Sequence, residues 1–99
     1  MCHRKYLMLR DLMKRRWIPE ILHRMDKGYY TYTDILEGID YLSHTELQRK
    51  LKILEEYHCV KKTDSGYILK DLGRELEEVF CYLEKLEDKY LVKDVDIPV

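Results

Sequence analysis

The chain has 99 residues, of which 45% are hydrophobic and 37% charged, with four Gly and two Pro. That is one domain of a folded protein, without low-complexity runs, internal repeats or an apolar stretch near the ~20 residues of a membrane span. The net charge of −1 hides an asymmetry: residues 1–27 hold eight Lys or Arg against three acids, and residues 53–99 hold seven against twelve. A protein held together by its acidic end can still present a basic face to phosphate. The start, Met1-Cys2-His3-Arg4-Lys5, lacks the apolar core of a signal peptide, and three Cys cannot close a pairwise disulfide set. A reducing, cytoplasmic location without membrane attachment is therefore expected.

Residues 3–14 set Tyr6, Leu7, Leu9, Leu12 and Met13 among charges, which predicts a short amphipathic helix ending near Lys14-Arg15-Arg16. A second helix is predicted from Trp17 or Ile18 to Met25, burying Ile18, Ile21, Leu22 and Met25. Pro19 suits its first turn, and Gly28 suits a left-handed end. Tyr29-Tyr30-Thr31-Tyr32 reads as a short β-type segment. Thr33 then reads as the N-cap of a brief helix with Ile35 and Leu36 inward, stopped by Gly38.

The stretch from Leu42 to Glu56 organises the rest. Ser43 and Glu46 have capping-box spacing, so a helix is predicted from His44 to about Tyr57 or His58. Leu47, Leu51 and Leu54 fall on one face. At ~100° per residue, Thr45, Gln48, Arg49 and Lys52 project from the other. A tight connection, Ile39-Asp40-Tyr41-Leu42, joins this helix to the brief one before it, which makes a helix-turn-helix. Cys59–Thr63 and Tyr67–Lys70 flank Asp64-Ser65-Gly66, a tight-turn signal, so a β-hairpin follows. A hairpin placed there is the wing of a winged helix.

Asp71 opens a long helix to about Tyr90 with Leu72, Leu76, Val79, Phe80, Leu83, Leu86 and Tyr90 as its apolar stripe. A winged-helix core cannot cover the whole stripe, so the remainder is expected to pack on a second copy. Tyr6, Leu9, Phe80, Leu83, Leu86 and Tyr90 are the candidate dimer residues. The acids of residues 75–88 read as a solvated outer face. The fold class expected is mainly α with a small β-hairpin wing, as one winged helix-turn-helix domain over residues 1–91. Residues 92–99 form an acidic tail expected to be poorly ordered.

In order and spacing these pieces resemble the HxlR-type winged helix-turn-helix transcriptional regulators over about residues 2–90. Cys2 resembles the family's Cys before its first helix. Arg16-Trp17-Ile18 through Gly28, Tyr32-Thr33-Asp34-Ile35, Leu42-Ser43, Leu47, Lys50-Leu51, Leu54-Glu55, Tyr67-Ile68-Leu69 and Leu72-Gly73 are similar to its other conserved pieces. Two departures stand out. His58 occupies the place of the family's Gly, so a different helix end is expected. The wing is shorter than the family's and carries only Lys.

The resemblance and the geometry together imply a homodimeric regulator of double-stranded DNA. Thr45, Gln48 and Arg49 would face base edges, His44 and Lys52 would lie nearer phosphates, and Lys61 and Lys62 would hold backbone. The alternative is a winged helix that docks protein instead of DNA. Some members of the family use an N-terminal Cys as a thiol switch. Cys2 has His3, Arg4 and Lys5 beside it, cations that favour a thiolate, so a small-molecule or oxidant effector is compatible with the chain. Cys59 and Cys81 fall at core-like positions and are expected to be buried and inert. No Cys-x-x-Cys or His-x-x-x-His spacing marks a metal site, and no nucleophile elbow or phosphate-binding Gly loop marks an enzyme. No catalytic residue, metal or cofactor is expected.

Overall fold

The computed structural model describes residues 5–91. Cys2 and the 92–99 tail lie outside that range. The elements run α1 (Leu7–Met13), α2 (Ile18–Asp26), α3 (Tyr32–Glu37), α4 (His44–Glu56), β1 (Val60–Thr63), β2 (Gly66–Leu69) and α5 (Asp71–Tyr90). This is a winged helix-turn-helix. The helices α2, α3 and α4 enclose the core, the hairpin is the wing, and α5 packs back on α2 and β2. Among the described residues no helix is long and apolar enough to cross a membrane.

The core is built from the predicted apolar faces. Ile18, Ile21 and Leu22 of α2 are fully buried, as are Leu12, Ile35, Leu47 and Leu54. Each such side chain contributes ~1.5–3 kcal/mol by leaving water. Pro19 lies in the first turn of α2, where its missing N–H costs nothing, and Gly28 follows the helix at φ 104°.

The start of α3 differs from the sequence expectation. Thr31, not Thr33, is the N-cap, and its hydroxyl accepts from the Asp34 amide at 3.1 Å. The preceding Tyr29-Tyr30 is not a strand. Its one ladder-like bond runs from the Tyr67 amide to the Tyr30 carbonyl at 2.8 Å. That bond holds Tyr30 beside the wing and leaves Thr31, the next residue, in extended backbone at the cap.

Only half of the expected capping box forms at α4. The Ser43 hydroxyl accepts from the Glu46 amide at 3.2 Å. The Glu46 carboxylate turns away from the Ser43 amide and takes the Lys50 ammonium at 2.6 Å. Lys50 is 8% exposed, and the ion pair lets its stem lie along the core while its charge is satisfied. The same pairing holds the Glu46 carboxyl below its ordinary range.

The end of α4 also corrects an expectation. His58 has φ 63°, the left-handed conformation that Gly would adopt. The Cys59 amide donates to the Leu54 carbonyl at 2.8 Å, and the His58 amide donates to the Glu55 carbonyl at 3.0 Å. These two bonds make a Schellman motif, so the helix ends as it would with Gly and a His is held there instead.

The wing pairs Val60 with Leu69, Lys61 with Ile68, Lys62 with Tyr67 and Thr63 with Gly66, which leaves Asp64-Ser65 as the loop. Thr63 closes it, its hydroxyl accepting from the Gly66 amide at 3.1 Å and donating to the Gly66 carbonyl at 3.0 Å. After the wing, the Lys70 amide donates to the Cys59 carbonyl at 2.9 Å. A Cβ at Gly73 would stand 2.2 Å from that same carbonyl oxygen, so only Gly lets α5 start this close to the end of α4.

At 20 residues α5 is about 30 Å long, longer than the core it packs on. Its first half buries Gly73, Leu76 and Glu77. Glu77 departs from the expected solvated face: its carboxylate lies 3.1 Å from His23 Nδ1 of α2. Farther along, Leu83 is 37% exposed and Tyr90 61% exposed, while Phe80 packs partly on the core.

Candidate nucleic-acid interface

The candidate DNA-facing surface is assembled from α4 and the wing. With Leu47, Leu51 and Leu54 turned into the core, the opposite side of α4 presents His44, Thr45, Gln48, Arg49 and Lys52 to solvent. Lys61 and Lys62 are exposed on β1. His44, Thr45, Gln48, Arg49 and Lys52 therefore share the outer side of α4, and Lys62, paired with Tyr67, flanks the same open trough, while Lys61, paired with Ile68, falls on the opposite face of the hairpin. The trough is about 680 Å³ in volume, and its walls include Gln48, Lys52, Glu55, Lys62, Asp64 and Tyr67. Glu55 and Asp64 place negative charge among the lysines. Burial, reinforced by Glu55, pushes the Tyr67 phenol up from its ordinary range.

Arg49 and Gln48 carry the side-chain chemistry for bidentate contact with base edges. Lys50, adjacent in sequence, is not available to DNA, because its ammonium is bonded inside the domain to Glu46. Charge alone does not separate Arg49 from Lys50, since both are cations in the same helix turn. Only the phase against Leu47 and Leu51 separates them.

Sequence reasoning passed over Tyr32 as a member of this surface. From the first turn of α3 its ring stacks on that of His44, with centroids 5.7 Å apart and planes at 20°. Its hydroxyl donates to the His44 carbonyl at 3.1 Å and lies 3.3 Å from His44 Nδ1. Burial, then the neighbouring Tyr67, pushes the Tyr32 phenol up, so it keeps its proton at neutral pH. The aromatic at position 32 was legible as a family-like feature, but its partner twelve residues away was not.

Of the candidate dimer residues, Tyr6 and Tyr90 are exposed, Leu83 is at the edge of exposure, and Leu9, Phe80 and Leu86 are half-buried. The cysteines separate. Cys59 is fully buried and burial raises its thiol pKa, which makes it a poor nucleophile. Cys81 is only half-buried, against the expectation of a core position, because it stands on the side of α5 that faces an open cleft beside α2. Among the described residues no group of three or more His, Cys, Asp or Glu is arranged to hold a metal ion.

Comparison with known proteins agrees with this geometry. The profile of the HxlR-like helix-turn-helix family matches residues 12–95. The chain is similar to the crystal structure of quinone-bound YodB from B. subtilis, with TM-score 0.79, 28% identity, and coverage of 87% of this chain and 98% of that one. It is similar to the reduced form of the transcriptional regulator YodB from B. subtilis, with TM-score 0.78, 26% identity, and coverage of 92% and 96%. It is also similar to the diamide-treated YodB, with TM-score 0.73, 27% identity, and coverage of 91% and 95%. No curated protein matches the chain. A family match over most of the domain, structural likeness over nearly all of it, and a capped helix presenting Gln48 and Arg49 beside a wing lead to one conclusion: the chain belongs to the HxlR-like helix-turn-helix family and is a DNA-binding transcriptional regulator.

Proposed function

We propose that the protein binds a two-fold symmetric DNA site as a homodimer, with α4 of each copy in the major groove and each wing on the flanking backbone. The observation that carries this reading is the exposed row Thr45, Gln48 and Arg49 on a helix whose other face is fully buried. Such a row reads bases, while Lys52, Lys61 and Lys62 neutralise phosphates and set register. The dimer is supported by the second half of α5, where Leu83 and Tyr90, and Leu91 just past the helix end, are exposed on a helix that outruns its own core.

Selection of bound DNA from a random pool tests the reading. The expected product is a palindrome with half-site centres about 34 Å apart. Arg49→Ala should weaken binding by ~1–3 kcal/mol and relax one position of each half-site. Binding that is insensitive to both salt and Arg49→Ala would favour a protein-docking module instead.

A second reading concerns regulation. The similar structures include quinone-bound, reduced and diamide-treated forms of YodB. In this chain Cys2, followed by His3, Arg4 and Lys5, is the thiol whose neighbours favour a reactive thiolate. We propose it as the group through which an oxidant or electrophile releases DNA. Retention of the full oxidant response in Cys2→Ser would refute that role.

A further inference from the structure

Tyr32 reaches across the helix-turn-helix to the first residue of α4, and its hydroxyl touches two atoms of the same residue. The His44 carbonyl lies at 3.1 Å and His44 Nδ1 at 3.3 Å. A phenol hydroxyl has one proton, and a carbonyl oxygen only accepts. The shorter contact therefore takes the proton. The longer contact is a hydrogen bond only if Nδ1 carries a hydrogen and the phenol oxygen accepts it. Such a bond would hold a neutral His44 ring as the Nδ1–H tautomer and leave Nε2 as a bare acceptor. His44 is exposed, and its Nε2 has no hydrogen-bond partner among the described residues. The stacked ring of Tyr32, itself half-buried against the core, limits rotation of the imidazole.

The first residues of a recognition helix contact base edges. In the major groove, adenine N6 and cytosine N4 are donors, whereas guanine O6 and N7 and thymine O4 are acceptors. We infer that His44 is a specificity-determining residue whose Nε2 accepts from an exocyclic amino group of adenine or cytosine, and that Tyr32 is the positioning residue that gives the ring this polarity. A bare Nε2 set against a guanine or thymine acceptor would face lone pair to lone pair. This moves His44 from the phosphate contact expected from sequence to a base contact. It rests on the reading that α4 enters the major groove.

The test compares wild type with Tyr32→Phe, His44→Ala and Arg49→Ala, at about pH 8, above the range where imidazoles commonly titrate. Tyr32→Phe keeps the ring and its packing and removes only the hydroxyl. Imidazole nitrogen NMR of the free protein reads the tautomer directly, and random-pool selection reads base preference. Wild type should show the Nδ1–H form and a roughly tenfold preference for adenine or cytosine at one position of the site. His44→Ala should lose that preference. Tyr32→Phe should shift the ring toward the Nε2–H form and admit guanine at the same position. An unchanged tautomer, or an unchanged preference in Tyr32→Phe, overturns the positioning role. An unchanged consensus in His44→Ala overturns His44 as a reader. If Arg49→Ala as well as His44→Ala leaves affinity for every selected DNA intact, the placement of α4 in the groove fails instead.

Discussion

His58→Gly should stabilise the protein. His58 closes α4 at φ 63°, with its amide and that of Cys59 both spent on the carbonyls of Glu55 and Leu54. Its side chain is exposed and makes no hydrogen bond among the described residues, so its replacement costs little contact. The left-handed backbone costs an L-residue ~1–2 kcal/mol. Against this, Gly loosens the unfolded chain by about 0.5–1 kcal/mol. The net expectation is a gain of ~0.5–1 kcal/mol, a rise in Tm of about 2–8 °C for a domain of this size. Urea unfolding followed by circular dichroism, at fixed protomer concentration, measures it, because any dimer makes stability concentration-dependent. His58→Ala is the control: it removes the imidazole, keeps the Cβ, and should be neutral or slightly destabilising. Should His58→Gly prove neutral or destabilising with an unchanged m value, the claim of a strained helix end is wrong. A similar gain in both variants would show that the imidazole, and not the backbone, was the unfavourable element.

The opposite substitution should fail at Gly73. A Cβ there meets the Cys59 carbonyl oxygen at 2.2 Å, so Gly73→Ala should cost about 1–3 kcal/mol in the same unfolding assay, and wild-type stability would contradict the close packing of α5. Leu83→Glu should leave the fold intact, since Leu83 is already 37% exposed, yet yield a monomer at micromolar concentration by light scattering. A dimer that survives Leu83→Glu places the interface elsewhere. Tyr57→Phe should change acid stability. The Tyr57 hydroxyl donates to Asp11 at 2.8 Å and is the main reason its carboxyl titrates below the ordinary range, with Arg15 adding to the effect and burial opposing it. A depressed carboxylate contributes stability above its unfolded pKa of about 4 and loses it as pH falls through the folded value. Tyr57→Phe should therefore lower stability at neutral pH and flatten its loss below about pH 4. Parallel wild-type and variant curves would show that the contact does not hold the carboxylate.

The elements that sequence placed correctly are those whose evidence is local and repeated. Ile18, Ile21, Leu22 and Met25 declare α2, Leu47, Leu51 and Leu54 declare α4, and Asp64-Ser65-Gly66 declares the hairpin, each through spacing alone. What it misplaced depends on contacts between distant residues. Thr31 and Thr33 are equally good caps by chemistry, and the choice is made by Tyr67 bonding to Tyr30. Glu77 looks solvated in a run of acids, but it sits between Leu76 and Phe80 at the edge of the apolar stripe, where α2 brings His23 to it. The candidate DNA row was legible because the helix phase fixes it. The Tyr32–His44 pair was not, because no periodicity relates α3 to the start of α4. His58 shows another limit: residue type gave a preference against the left-handed state, and the packing of Cys59 beneath α4 overrode it.

The charges around α4 connect the two ends of the molecule. Lys50 is bonded to Glu46, and Glu55 and Asp64 stand in the trough beside the wing. On this side Arg49, Lys52 and Lys62 are exposed cations, partly countered by Glu55 and Asp64. Non-specific affinity comes almost entirely from phosphates neutralised, so a single copy is expected to bind arbitrary DNA weakly. If Gln48 and Arg49 read bases as proposed, the same acids would penalise any backbone approach they do not direct and widen the gap between a matched site and an arbitrary one. In the proposed dimer the second α4 would bind at the effective concentration set by the first, and affinity would rise without added charge. In that dimer the exposed apolar end of α5 would thus bear on DNA binding as directly as α4 does. A short wing and a net charge of −1 are compatible with a regulator whose affinity depends on pairing, and anything that disturbs the pairing surface would release DNA without touching the residues that read it.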